Sequence, residues 1–230
     1  MISKLYLVIK KFALFFINSF SNLAIYFEFI RSSLRNVILE LDGYFNSEAI
    51  INSDIYWRNL ISQLMNSDKI ESEYLDFKET LSLWHTKGEE KRKKKIKICG
   101  IVAGFANNQG GIVVIGITDI IPRNIVGIND VEKKLIELDN LFSANIQGIN
   151  SHFTKFNHIR IEDKNKTKRD CLIITIAQTR EILYLKDINN SYFYPIRRGA
   201  GIVREDPEKI KKLKHNLAIK SNNYSFLKNL

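Results

Sequence analysis

The feature that most constrains this chain is the run Phe105-Ala106-Asn107-Asn108-Gln109-Gly110-Gly111-Ile112-Val113-Val114-Ile115-Gly116-Ile117. Upstream of it, Ile98, Ile101, Val102 and Phe105 recur at helical spacing, so the chain arrives on an amphipathic helix. Gly110-Gly111 ends that helix, because glycine reaches backbone conformations that other residues avoid and has no side chain to hold away neighbouring backbone. Residues 112–117 are apolar, β-branched and short, the signature of a buried strand. Helix, double glycine and buried strand therefore predict a sheet with helical cover.

The remaining punctuation agrees. Residues 73–78 alternate, with Leu75 and Phe77 inward and Tyr74, Asp76 and Lys78 on the other face. A charged stretch, 87–97, flows into the helix already described. Pro122 and Asn124 mark a turn before a small strand at 125–128, and Asn129 or Asp130 caps a helix over 130–146. Strands are expected at 156–162 and 171–178, joined as a hairpin by the polar run 163–170. A further pair, 182–186 and 191–197, turns around Asn189-Asn190. Pro207 opens a basic helix. The fold class is α+β, a mixed or antiparallel sheet with flanking helices, covering residues 66–215. Residues 1–65 read as a preceding helical segment, with helices near 2–40 and 46–66 that pack on the domain, on a second copy or on another protein. Residues 216–230, rich in Asn, Ser and Lys, read as a loose tail.

Residues 12–30 are greasy and follow Lys4, Lys10 and Lys11, as in a signal peptide, but no small-residue cleavage site follows. Asn18, Ser19, Ser21, Asn22 and Glu28 also make a poor membrane span. A packed helix in a cytoplasmic protein is the expectation, with membrane attachment disfavoured. Cys99 and Cys171 each lie in an apolar run and read as buried small hydrophobes in a reducing compartment. With only two cysteines and four histidines without ligand spacing, structural zinc is disfavoured. No Gly-x4-Gly-Lys-Ser/Thr loop is present, and Gly199-Ala200-Gly201 lacks the context of a dinucleotide site, which argues against ATP.

Charge narrows the partners. Thirty-five Lys and Arg against twenty-five Asp and Glu leave +10, which favours a polyanion, nucleic acid before an acidic membrane. Lys91, Arg92, Lys93, Lys94 and Lys95 form a dense basic run, either a phosphate-tracking patch or a solvated helix start. Arg197 and Arg198, after Tyr192, Phe193 and Tyr194, are candidates for phosphate contact, and Arg204 joins the candidate nucleic-acid-binding set. Against this basic background stand the acids Glu71, Asp76 and Asp119, near the ends of the first and the buried strand. Hard oxygen ligands of that kind suit Mg²⁺ or Mn²⁺. Lys78 shares the face of Asp76, to steady phosphate charge or to pair with the acid.

The words around these acids resemble the AlbA-like core domain of the Schlafen family. Glu71-Ser72-Glu73-Tyr74-Leu75-Asp76-Phe77-Lys78 matches an acid, four residues, then Glu-Phe-Lys. The Phe105-Ala106-Asn107 to Gly116 run matches Phe-Ala-Asn-Thr-x-Gly-Gly with its apolar strand. Ile125-Val126-Gly127-Ile128 and Tyr194-Pro195-Ile196-Arg197-Arg198-Gly199 extend the likeness over residues 66–215. The resemblance implies a three-carboxylate, metal-dependent endoribonuclease site at Glu71, Asp76 (Glu in the family) and Asp119, acting on structured RNA such as tRNA. Many prokaryotic relatives are described only as DNA-binding proteins, so a non-catalytic DNA- or RNA-binding module stays open, as does an interaction subunit of a larger, defence-type assembly. Longer relatives carry two lobes around a positive groove. A homodimer of this one-lobed chain is the corresponding expectation, with the N-terminal helices as its contact or as the dock for another protein.

Overall fold

The computed structural model describes residue 11 and residues 51–65, 74–148 and 153–218. These fall into two units divided after Leu60. The expected helix over 2–40 lies, apart from Lys11, outside the described residues, and so does Glu71. Of the second expected helix, α1 (Asp54–Met65) is described. No described helix is long and apolar enough to cross a membrane.

The larger unit is built on a four-stranded mixed sheet in the order β1-β2-β4-β3. β1 (Leu75–Lys78) runs parallel to β2 (Gly111–Ile115), with Asp76 opposite Val113 and Lys78 opposite Ile115. Parallel neighbours need a crossover, here a short 3-10 turn (Ser82–His85) and α2 (Gly88–Asn107). β4 (Lys168–Ile176) pairs antiparallel with β2, and β3 (Thr154–Glu162) pairs antiparallel with β4. All five residues of β2 are buried, as a strand covered on both faces requires.

The two sheet faces are sorted by register. Val113, Ile115, Leu172 and Ile174 join Ile98, Val102 and Phe105 of α2, and Leu138 and Phe142 of α3 (Val131–Asn145), in the main core. Leu75, Phe77, Ile112 and Val114 lie on the other face, all buried. Asp76 and Lys78 alternate with Leu75 and Phe77, so the acid belongs to the face covered by α2. Past β4 come two hairpins, β5 (Leu185–Lys186) with β6 (Tyr192–Phe193), and β7 (Pro195–Arg198) with β8 (Gly201–Arg204). Helix α4 (Pro207–Ala218) follows.

The double glycine behaves as its sequence demands. Gly110 has φ +82, and a Cβ on Gly111 would stand 2.4 Å from the Phe105 ring and 2.9 Å from the Tyr74 carbonyl.

Several local expectations need correction. Residues 125–128 form no strand; a single bridge, Ile117 with Ile125, closes the loop after β2. Asp130 sits at the N-cap of α3 but with φ +53 and no side-chain cap bond. The β3–β4 loop is shorter than 163–170, because Asp163 Oδ1 accepts the amides of Asn165 and Thr167 and tightens the turn. The expected strand 191–197 breaks at Tyr194, and its second half starts a separate hairpin with β8. The basic helix reaches Ala218, three residues into the expected tail.

Candidate functional site

Asp76 is the buried centre of a charge cluster. Its residue is 1% exposed, yet Lys78 Nζ lies 3.0 Å from Oδ2 and Arg197 Nη2 lies 3.3 Å from Oδ1. Lys78 Nζ also donates to the Phe77 carbonyl at 2.7 Å. Arg197 is itself 1% exposed, its guanidinium 4.8 Å from the centre of the Phe105 ring. Burying a carboxylate in a core is tolerable only with such compensation. Of the two readings of Lys78, the geometry displays the ion pair with Asp76. Arg197, expected on a phosphate-contacting face, is instead enclosed and committed to Asp76, while its chain neighbour Arg198 alternates outward, as strand geometry dictates.

Asp119 is exposed, in the loop closed by the Ile117–Ile125 bridge and by the Asn124 amide on Thr118 Oγ1 at 2.8 Å. Among the described residues no three His, Cys, Asp or Glu side chains group to hold a metal ion. Both oxygens of Asp76 already face cations, so the described donors alone do not fit Mg²⁺ or Mn²⁺. A shared ion at positions 71, 76 and 119 depends on Glu71, outside the described residues.

The basic candidates occupy two places. On α2, Lys93 and Lys94 pair one turn back with Glu89 and Glu90, at 2.9 and 2.6 Å. Those acids fill the first turn, where they also suit the helix dipole, so an N-terminal lysine run is compatible with a stable helix. Lys91 Nζ stands 4.0 Å from Glu137 of α3, and Arg92 is exposed with a bond to Asn190 Oδ1. On the second hairpin, exposed Arg198 pairs with Glu205. Exposed Arg204 pairs with Asp187 at 3.2 Å and lies 4.5 Å over the Phe193 ring.

Four buried polar residues hold these parts together, and two of them, Arg123 and Lys214, left little sign in the sequence. Asn107, wholly buried, donates to the carbonyls of Leu183 and Pro195 at 2.7 and 2.8 Å and accepts the Leu183 amide at 2.8 Å. Asn108 donates to the Arg197 carbonyl at 3.0 Å. The pair thus latches the end of α2 to both hairpin regions, beyond the capping role that its place before Gly110-Gly111 suggests. Arg123 is 2% exposed, 4.5 Å over the Phe77 ring, and donates to the Leu64 carbonyl at 3.0 Å. Lys214 of α4, within a lysine-rich helix that reads as solvated, is buried. Its ammonium donates to the carbonyls of Thr179 and Glu181, both at 2.7 Å, with Thr179 Oγ1 and the Ala106 carbonyl also in reach. Burial pushes Lys214 down to about 7, against the upward pull of the Glu181 carboxylate. Both cysteines are buried, and burial pushes each thiol up to about 12, which leaves them unreactive.

A family model described as Schlafen, AlbA_2 matches residues 71–206, more than half of the chain. No curated protein matches.

Proposed function

Because the chain belongs to the Schlafen, AlbA_2 family, we propose that its domain binds nucleic acid, RNA in preference to DNA, along the basic first half of α2. The observation that carries this reading is the character of that half-helix. Arg92, Lys93 and Lys97 are exposed and Lys91, Lys94 and Lys95 half-exposed, against only Glu89 and Glu90 on the same stretch. Such a surplus on one element attracts a phosphate backbone by charge and counterion release, independent of sequence. Arg198 and Arg204 on the second hairpin are candidates to extend the contact.

The finer reading is an endoribonuclease in which Glu71, Asp76 and Asp119 share Mg²⁺ or Mn²⁺, with Lys78 beside them. It is supported by the acid at each of the three motif positions. The enclosure of Asp76 between Lys78 and Arg197 favours a bound, uncut strand.

Two assays, one of binding and one of cleavage, decide between these readings. Fluorescence anisotropy with a tRNA and a DNA duplex of equal charge is expected to show salt-sensitive binding, tighter for RNA. Incubating total tRNA with Mg²⁺ or Mn²⁺ is expected to leave it intact. Cutting that disappears in both Asp76→Ala and Asp119→Ala establishes the nuclease instead, and absence of binding at low salt removes the whole proposal. We further propose that two copies associate to widen the basic surface; a monomeric mass by light scattering at micromolar concentration opposes that.

A further inference from the structure

On α2, Lys94 and Lys97 fall on the same face as Ile98 and Ile101, since 94, 97, 98 and 101 follow helical spacing. The two isoleucines enter the core, so the two lysines continue that face outward along the helix. Lys78, at the end of β1, is on the sheet face covered by α2. Between them lies a cavity of about 70 Å³ lined by Lys78, Thr80, Lys94 and Lys97 over a floor that includes Leu81 and Ile98. That is room for roughly two waters at about 30 Å³ each. It suits a compact tetrahedral anion.

Among the described residues, two carboxylates pair with the cavity's three lysines. Lys94 shares its charge with Glu90, which is largely exposed and held by a flexible side chain. Lys78 is held by Asp76 and by the Phe77 carbonyl, so it adds positive charge at the base of the cavity from a fixed position. No carboxylate among the described residues pairs with Lys97. Ammonium groups act as mobile point charges toward phosphate. The cavity also opens beyond the carboxyl end of a parallel strand, beside its crossover helix, where α/β sheets gather ligands.

We propose that this cavity is a binding site for a single phosphate group, with Lys94 and Lys97 as its walls, Lys78 at its base and the Thr80 hydroxyl donating at its rim. A terminal phosphate monoester, carrying more charge than an internal diester and free of a second ester arm, is the form best matched to a small recess walled by lysines. The site therefore reads the phosphorylated end of a nucleic-acid strand. This last step rests on the nucleic-acid reading; the phosphate site does not.

The test uses the full chain. Inorganic phosphate at millimolar concentration is titrated while the backbone amide resonances are followed. Shifts at Thr80, Lys94 and Lys97 are expected, with binding about five-fold weaker in Lys97→Gln, the loss of one partly screened ionic contact, and unchanged in Lys164→Gln on the remote β3–β4 loop. In parallel, a 5′-phosphorylated single-stranded RNA is expected to bind several-fold tighter than its 5′-hydroxyl twin, an advantage that Lys97→Gln abolishes. Absence of phosphate-induced shifts at these residues, or equal effects of the two variants, overturns the site. Phosphate binding with no preference for the phosphorylated RNA overturns the strand-end assignment. Phosphate binding with neither RNA bound supports the site and refutes the nucleic-acid reading instead.

Discussion

Asn107 offers the sharpest test of how the domain is assembled. Its side chain makes three short hydrogen bonds at a wholly buried position, two as donor and one as acceptor. Replacing it with alanine leaves the Leu183 amide and the carbonyls of Leu183 and Pro195 without their partner in a site closed to solvent. With each net bond at about 1 to 1.5 kcal/mol, and a further penalty for stranded groups, Asn107→Ala costs about 4 kcal/mol. For a domain of this size that lowers Tm by roughly 8 to 16 °C. Asn107→Asp keeps the shape but sets a carboxylate against two carbonyl oxygens, so it is expected to be worse than alanine at neutral pH. Its sign with pH follows. The buried acid has a folded pKa raised above the unfolded value near 3.9, so the variant's stability is greatest at low pH and is lost as pH rises through the folded pKa. Asn108→Ala, which removes a single bond to the Arg197 carbonyl, costs about 1 to 2 kcal/mol. Urea unfolding followed by circular dichroism at several pH values measures all three. An Asn107→Ala loss below about 1 kcal/mol with an unchanged slope refutes the latch.

Three further outcomes are expected. Gly111→Ala drives a methyl into the Phe105 ring and the Tyr74 carbonyl, so it destabilises by about 2 kcal/mol or more, read by the same unfolding assay. For Lys214, the folded ammonium titrates near 7 and the unfolded one near 10.4, so the unfolded chain binds more protons between those values. Stability then rises with pH across that window by at most about 1.4 kcal/mol per unit, and Lys214→Met, compared with the parent at pH 7 and 9, removes the rise. Arg92→Gln, which removes an exposed cation of α2, reduces the slope of log affinity against log salt for single-stranded RNA by about 0.7.

What the sequence disclosed and what it hid divide along one physical line. Patterns that depend on neighbours in the chain were legible: Gly110-Gly111 before a β-branched run predicted the end of α2 and the start of β2, and alternation in 73–78 placed Asp76 and Lys78 on one face. The short pairings of β7 with β8 and the bare bridge at Ile125 were not, since local composition does not say whether an extended run finds a partner. The site shows the same division. That Asp76 is an acid in a strand is written in one dimension; that Arg197, 121 residues away, folds over it is a fact of packing. Alternation alone does, however, constrain the pair Arg197-Arg198. In a two-stranded hairpin laid on a helix, consecutive arginines point opposite ways, so one of them faces inward, where its charge has to be compensated. The acid at position 76 and the arginine at 197 thus compensate each other's burial, whatever either does for a ligand. A loss of RNA binding or cleavage in an Asp76 variant therefore argues for a direct role only if the variant's unfolding midpoint shows that the domain is still folded under the assay conditions.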